Sequence, residues 1–225
     1  MKKRPPAHPD AFAEAVAWFR AKLILTDDEF DALEEASYHR AFTIAGVAQL
    51  DMVTQVWEAI DRAVAQGETL SDFQDAVGDK LTAAWGKEQP WRLETIFRTN
   101  VQQAYSDGRW EQMEHPAVKE ARPYRKYSAV MDSRTSPICA PLDGTVLPAD
   151  DPFWSSHNPP LHFNCRSHVV TLSEEEAKSE GVAQEAPSIA PADGFGDAPQ
   201  GEWVASEPDL DGYPQPLVAE YRRAG

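Results

Sequence analysis

Cysteine is scarce in this chain. Of 225 residues only Cys139 and Cys165 carry a thiol. Two cysteines in a chain of this size do not make the disulfide framework of a small secreted scaffold. A reducing compartment during synthesis is therefore expected. Long apolar runs are also missing. None approaches the roughly 18–20 residues that cross a bilayer, so no membrane segment is expected. The opening MKKRPPAHPDAF is basic but has no apolar core or cleavage site, so secretion is not expected either. Positive charge is in deficit: 21 Lys and Arg face 37 Asp and Glu, for a net −16. That balance opposes non-specific nucleic-acid binding by the molecule as a whole, though a local basic patch can still act. There is no P-loop, no Rossmann glycine pattern, no H-E-x-x-H, no G-x-S-x-G and no internal repeat.

What is present begins with helices. The length allows one or two domains with a real core. Asp10 can cap AFAEAVAWFRAKLIL, in which Phe12, Val16, Phe19 and Leu23 recur at helical spacing. Thr26 and Glu29 form a capping box for a second helix, whose apolar positions are Phe30, Leu33, Phe42 and Ile44. A third helix over 47–66 carries Leu50, Val53, Trp57, Ile60 and Val64 on one face and ends at Gly67. Ser71 is the expected cap of a fourth, with Phe73, Val77 and Leu81 inside. Pro90 opens a fifth, striped by Leu93, Ile96, Phe97, Val101, Ala104 and Tyr105.

The pattern then changes. RPYRKYSAVM (122–131) alternates and reads as a strand. Asp143-Gly144 before Val146-Leu147 is a hairpin signal. SHVVTL (167–172) is a closing strand, and Ser173 with Glu176 caps a short helix ending near Gly181. From Val182 the chain is rich in Pro, Gly and acid, which predicts a solvated extended arm. Phe195, Trp203 and Tyr213 are rings with which such an arm could dock on a partner. The fold class is therefore α+β. A helical region covers 1–90, a small strand-and-turn domain 91–181, and an acidic arm 182–225.

The chemistry concentrates between Asp132 and Val170. Zinc favours thiolate and imidazole ligands, usually four in a structural site. Cys139, His162 and Cys165 supply three, and His162-x-x-Cys165 can chelate from one turn. His157, His168 or the carboxylate of Asp132 are candidates for the fourth. Three other readings stay open. The set can be a packed, hydrogen-bonded core. It can be a disulfide. Cys139 can be a nucleophile with His162 as its base, given spatial adjacency.

Arg98, Asn100, Arg109, Asp132, Arg134 and Arg166 form a second candidate set. An arginine fork serves several carbonyls or carboxylates, so these residues can glue the fifth helix to the knot. Lys119, Arg122, Arg125, Lys126 and Arg134, interleaved with Tyr124 and Tyr127, make the one locally basic stretch. It reads as a solvated strand face or a nucleic-acid backbone contact.

Four motifs in order carry a resemblance. They are R-T-N-x-x-x-A-Y-x-x-G-R (98–109), D-x-R-T-S-x-x-C (132–139), L-D-G (142–144) and P-P-L-H-x-N-C-R-S (159–167). Together they resemble the phage Mu F-like head-morphogenesis family over about 91–172. PADGFGDAP (191–199) is similar to a glycine-aromatic motif that follows this domain in some members. The resemblance implies a minor head protein of a tailed phage or prophage, present in few copies in the virion. It implies association with the portal and other head proteins, and action in head assembly, DNA packaging or genome delivery. Contact with packaged DNA would run through Lys119–Arg134. It implies no established enzyme; the alternative is a metal-dependent nuclease or other hydrolase built on the Cys/His cluster. Many members carry two further cysteines where this chain has Ser136 and Ser167. That leaves Cys139, His162 and Cys165, with His157 as a further candidate, to hold any Zn2+.

Overall fold

The computed structural model describes residues 11–31 and 41–199. The expected Asp10 cap, Leu33, Trp203 and Tyr213 lie outside them. The described chain is α+β, and it divides into two compact units. Described residues up to Phe97 form one, and Arg98–Pro199 form the other. Among the described residues, no helix is long and apolar enough to cross a membrane.

The first unit holds α1 (Ala13–Arg20), β1 (Leu23–Ile24), α2 (Asp27–Asp31), β2 (Ala41–Phe42), α3 (Leu50–Gln66) and α4 (Leu70–Trp85). Val53, Val56, Trp57, Ile60 and Val64 bury one face of α3. Full burial of each large apolar side chain stabilises by about 1.5–3 kcal/mol. Phe19 of α1 stacks on Trp57 with ring centroids 5.3 Å apart and meets Phe42 edge-on at 5.8 Å. α3 also buries a carboxylate, Asp61. The Arg20 fork satisfies it with bonds of 2.7 and 3.0 Å, as a buried charge requires. Gly67 ends the helix in the left-handed region, where glycine has no Cβ to clash.

Three helical expectations are corrected here. Phe42, expected on the second helix, lies in β2, and Ile44 follows that strand. α1 stops at Arg20, and Leu23–Ile24 pair in parallel with Ala41–Phe42. The Leu25 amide adds a bond to the Phe42 carbonyl at 2.9 Å. Leu23, Leu25 and Phe42 are all buried, so tertiary pairing overrides a helical spacing read from few residues. The cap of α4 is Thr69, not Ser71. Thr69 and Asp72 exchange both bonds of a capping box.

α5 (Pro90–Glu114) begins in the first unit and continues into the second. There follow α6 (Pro116–Ala121), β3 (Tyr124–Ser128), β4 (Val146–Pro148), α7 (Phe153–Ser156), β5 (His168–Leu172) and α8 (Glu174–Glu180). The three strands form an antiparallel sheet in the order β4-β3-β5, with Arg125 opposite both Leu147 and Thr171. Alternation along β3 turns Arg125 and Tyr127 inward. The core gathers Tyr127, Cys139, Leu142, Leu147, Phe153, Trp154, Leu161, Cys165 and Val169. Trp154 satisfies its indole N–H at the Pro148 carbonyl, 2.9 Å away.

β3 and β4 do pair, but no two-residue hairpin joins them. Residues 129–145 make a long excursion that carries Cys139. Asp143 and Gly144 close its far end. The Asp143 carboxylate accepts from the Ala129 amide at 2.8 Å, and the Gly144 amide donates to the Tyr127 carbonyl at 2.9 Å. α6 was not foreseen. Pro116 at its first position starts it, and the His115 ring accepts the Ala117 amide.

The segment after α8 has no regular element, as its composition suggests, yet residues 182–199 lie on their own domain. The Ala183 amide bonds the Val146 carbonyl, Ala192 bonds Leu161, and Ala198 bonds Ser155. Ala183 and Ile189 pack on the core, and Phe195 meets Phe163 edge-on at 4.9 Å. The docking surface for this part of the arm is therefore intramolecular.

Candidate functional site

Two loops of the second unit meet at the cysteines. In the first, the Asp132 carboxylate accepts from the Arg134 amide at 2.8 Å, and Thr135 Oγ1 accepts from the Asp132 amide at 2.7 Å. Ser136 Oγ then accepts from the Cys139 amide at 3.0 Å, which turns that thiol inward. In the second, His162 to Cys165 form a tight turn closed by Cys165 N–H on the His162 carbonyl at 3.2 Å. Asn164 takes the positive φ of 58° that the turn needs, a conformation asparagine tolerates.

The turns bring three ligand-type atoms together. Cys139 Sγ lies 3.2 Å from His162 Nε2 and 3.7 Å from Cys165 Sγ. All three atoms lie within 4.8 Å of one another. Tyr127, buried under the sheet, donates its hydroxyl to Cys139 Sγ at 3.3 Å. The Phe163 carbonyl lies 2.8 Å from His162 Nδ1. A carbonyl only accepts, so Nδ1 carries a proton there, and Nε2 is the ring nitrogen that faces Cys139. Beside them is a hollow of about 10 Å³ lined by Arg134, Ser136, Asn164, Arg166 and Ser167, room for about one water.

These contacts divide the two thiols electrostatically. The Cys165 thiol above all, then the Ser136, Ser167 and Tyr127 hydroxyls, push Cys139 down to about 4 against the opposing effect of burial. Cys165 moves up, first because it donates to Cys139 and then because it is buried. Burial, then the bond to Cys139, pushes the Tyr127 phenol up. The first proton lost by the pair therefore leaves from Cys139.

The structure places the other expected residues elsewhere. His157 is stacked on Phe153 at 3.9 Å. Its Nε2 donates to the Ile189 carbonyl at 2.7 Å, and Ser156 Oγ lies 3.0 Å from Nδ1. It pins the segment after α8 and does not join the cluster. Asp132 is clasped by the Arg166 fork at 2.7 and 2.6 Å. That fork, with the Arg134 amide, holds its carboxyl well below the usual carboxylate range. Four of the six polar residues make bonds at the knot or the sheet. Asp132, Arg134 and Arg166 brace the knot internally. Arg109 reaches from α5 to the Val169 carbonyl at 3.3 Å. Arg98 and Asn100 lie earlier on α5, about three and about two and a half turns before Arg109.

Sequence reasoning missed the residues that complete the attachment of α5. Gln102 donates to the Ser167 carbonyl at 3.0 Å, and Ser106 donates to Asn158 at 3.3 Å. With Arg109 they recur at i, i+4 and i+7, so a polar stripe at helical spacing was the available signal. Tyr127 and the two serines around Cys139 were also missed, because only the folded loops bring them to the sulfur.

The basic stretch is largely neutralised. Lys119 pairs with Glu114 and Asp150, Arg122 with Glu176, and Lys126 with Glu180. Arg125 is fully buried, paired with Glu114 and stacked 4.3 Å over the Trp110 ring. Arg134 is exposed.

A relative from Escherichia phage Mu, described as "Putative capsid assembly protein F", is 37% identical over 187 residues. The match covers 75% of this chain and 42% of the relative. The Mu-like prophage FluMu F protein of Haemophilus influenzae is 33% identical over 162 residues, covering 66% of this chain and 38% of the relative. The chain thus spans less than half the length of either. No solved structure matches it. Residues 54–170, just over half of the 225, match the family described as phage Mu protein F like protein. The matched span opens inside α3 and takes in α4, α5 and both loops of the cysteine–histidine knot, and the chain belongs to that family.

Proposed function

We propose that this chain is a minor head protein of a tailed phage or prophage, attached near the portal and acting in capsid assembly. Head assembly, DNA packaging and genome delivery are the steps in which such a protein takes part. The observation that carries the reading is the family match across the whole knot, with a Mu relative named for capsid assembly. The chemistry of the knot agrees. Cys139 and His162 are close enough for a nucleophile and its base. However, the sulfur is buried, engaged by Tyr127 and Cys165, and beside a hollow that admits a water rather than a scissile bond. The side chains there brace loops, which suits a scaffold for protein contacts.

The portal and other head proteins are the partners in this reading. The acidic net charge disfavours coating DNA. Lys119, Arg122, Arg125 and Lys126 would also have to leave carboxylate partners to meet phosphates. Residence is the head interior or portal vertex of the virion, after assembly in the host cytoplasm. The test is mass spectrometry of purified particles and co-purification with portal. Presence in few copies, with portal retained on the tagged chain, is expected. Absence from particles overturns the reading. Metal-supplemented nuclease activity lost in Cys139→Ala and His162→Ala would establish the hydrolase alternative instead.

A further inference from the structure

The three side chains at the knot are placed as ligands are placed. Two buried thiols packed only for apolar contact would face aliphatic carbon. Here each faces the other, and an imidazole ring nitrogen faces Cys139. We infer that Cys139, His162 and Cys165 bind one zinc ion, which clips the loop 129–145 to the loop 157–167.

Geometry sets the metal apart from the competing states. A tetrahedral ion about 2.3 Å from sulfur and about 2.05 Å from nitrogen spans edges of roughly 3.8 Å between sulfurs and roughly 3.5 Å between sulfur and nitrogen. Cys139 Sγ lies 3.7 Å from Cys165 Sγ and 3.2 Å from His162 Nε2, and the remaining pair lies within 4.8 Å. A disulfide needs its sulfurs at about 2.05 Å and gives His162 no part. The surrounding bonds are those that orient metal ligands. Phe163 fixes the His162 tautomer with Nε2 inward, as outer partners do at zinc histidines. The Ser136 hydroxyl and the turn closed at Cys165 fix the two thiols.

The fourth place falls to solvent. His157 is held by Ile189, Asp132 by Arg166, and His168 on β5 lies outside the group of ligand atoms. The adjoining hollow has room for one water and is lined by Ser136, Asn164 and Ser167. Two cysteines and one histidine are enough for zinc, because thiolate and imidazole are its preferred donors. The ion adds a cross-link between loops that otherwise have little regular structure.

The test uses the full chain, purified in thiol reductant, equilibrated with zinc sulfate and then freed of loose metal. About one equivalent of zinc is expected, because two thiolates and an imidazole are the donors zinc prefers. Cobalt substitution should give a thiolate charge-transfer band and tetrahedral visible bands. Cys139→Ser, Cys165→Ser and His162→Ala should each cut the stoichiometry below about half, while His115→Ala leaves it unchanged. Where a variant does not fold, X-ray absorption at the zinc edge of the wild-type chain decides, with two sulfurs per ion expected. Folded wild type that retains no zinc overturns the inference. So does metal that survives all three ligand substitutions, an absorption spectrum with no sulfur ligand, or a Cys139–Cys165 disulfide persisting under reductant. None of these readouts depends on a role in the phage head.

Discussion

Gly196→Ala tests whether the segment after α8 belongs to the folded domain. Gly196 has φ 92° and sits under the Ser156 carbonyl. A Cβ there would lie 2.4 Å from the Ser156 oxygen and 2.6 Å from Pro191 Cγ. The positive φ costs an L-residue roughly 1–2 kcal/mol. Overlap with a backbone atom that cannot rotate away adds roughly 1–3 kcal/mol. Gly194 is the internal control. It has φ 77° but nothing within 4 Å of its Cβ position, so Gly194→Ala carries the backbone strain alone. The two variants should differ by about 1–3 kcal/mol, the steric part. Coupled to the whole domain, that difference lowers Tm by about 4–8 °C per kcal/mol. If the segment lifts off locally, the loss appears instead as faster amide exchange at Asn158 and Ala198. Those amides donate to Gly196 and Ser155 at 2.8 and 2.9 Å. Thermal melts and hydrogen exchange on both variants read the two cases. Gly196→Ala matching Gly194→Ala in Tm and in exchange would refute the docked segment.

Glu114→Ala removes the carboxylate partner of buried Arg125, and urea denaturation should show a loss of about 2–3 kcal/mol, below the full buried-pair value because Glu114 is partly solvated. Arg125→Met removes the charge with its desolvation cost and should lose less. His168 is depressed by burial first and then by the Arg109 charge. Its unfolded form takes up a proton before the folded form does, so its contribution is full above the ordinary histidine value near 6.5 and lost as pH falls through the lower folded value. NMR titration should find the imidazole below 6.5, and Arg109→Gln should raise it. Thr69→Ala should cost about 1 kcal/mol through the lost capping box, whereas Ser71→Ala should stay within about 0.5 kcal/mol; chemical denaturation of both separates the caps.

Local chemistry was legible where neighbours in sequence decide it. The capping boxes at Thr26 and Ser173 require only a hydroxyl and a carboxylate three residues apart, and both form. Val53, Trp57, Ile60 and Val64 mark the buried face of α3 by spacing alone. The His162–Cys165 turn is likewise local. At α1 the spacing continued past the real helix end, because the partner that draws Leu23 and Ile24 into a strand lies near residue 41. Thr69 was passed over for Ser71 because both are good caps and only the first N–H aligned with a side chain decides between them.

The sequence by itself determined the α+β class, the family motifs, and the one region where thiols and imidazoles concentrate. These follow from residue type and short spacing, which no distant contact alters. Only the tertiary structure decided which of those groups meet. Cys139 stands 23 residues from His162 and 26 from Cys165, and the closure of two loops over β3 brings them within bonding distance. The same folding took His157 and Asp132 away, by giving each a better partner in Ile189 and Arg166. It also turned a proline- and glycine-rich stretch from an arm into part of the core's cover. A chain without periodicity has no local signal of where it lies, and its carbonyls and amides bond wherever the fold presents unpaired ones.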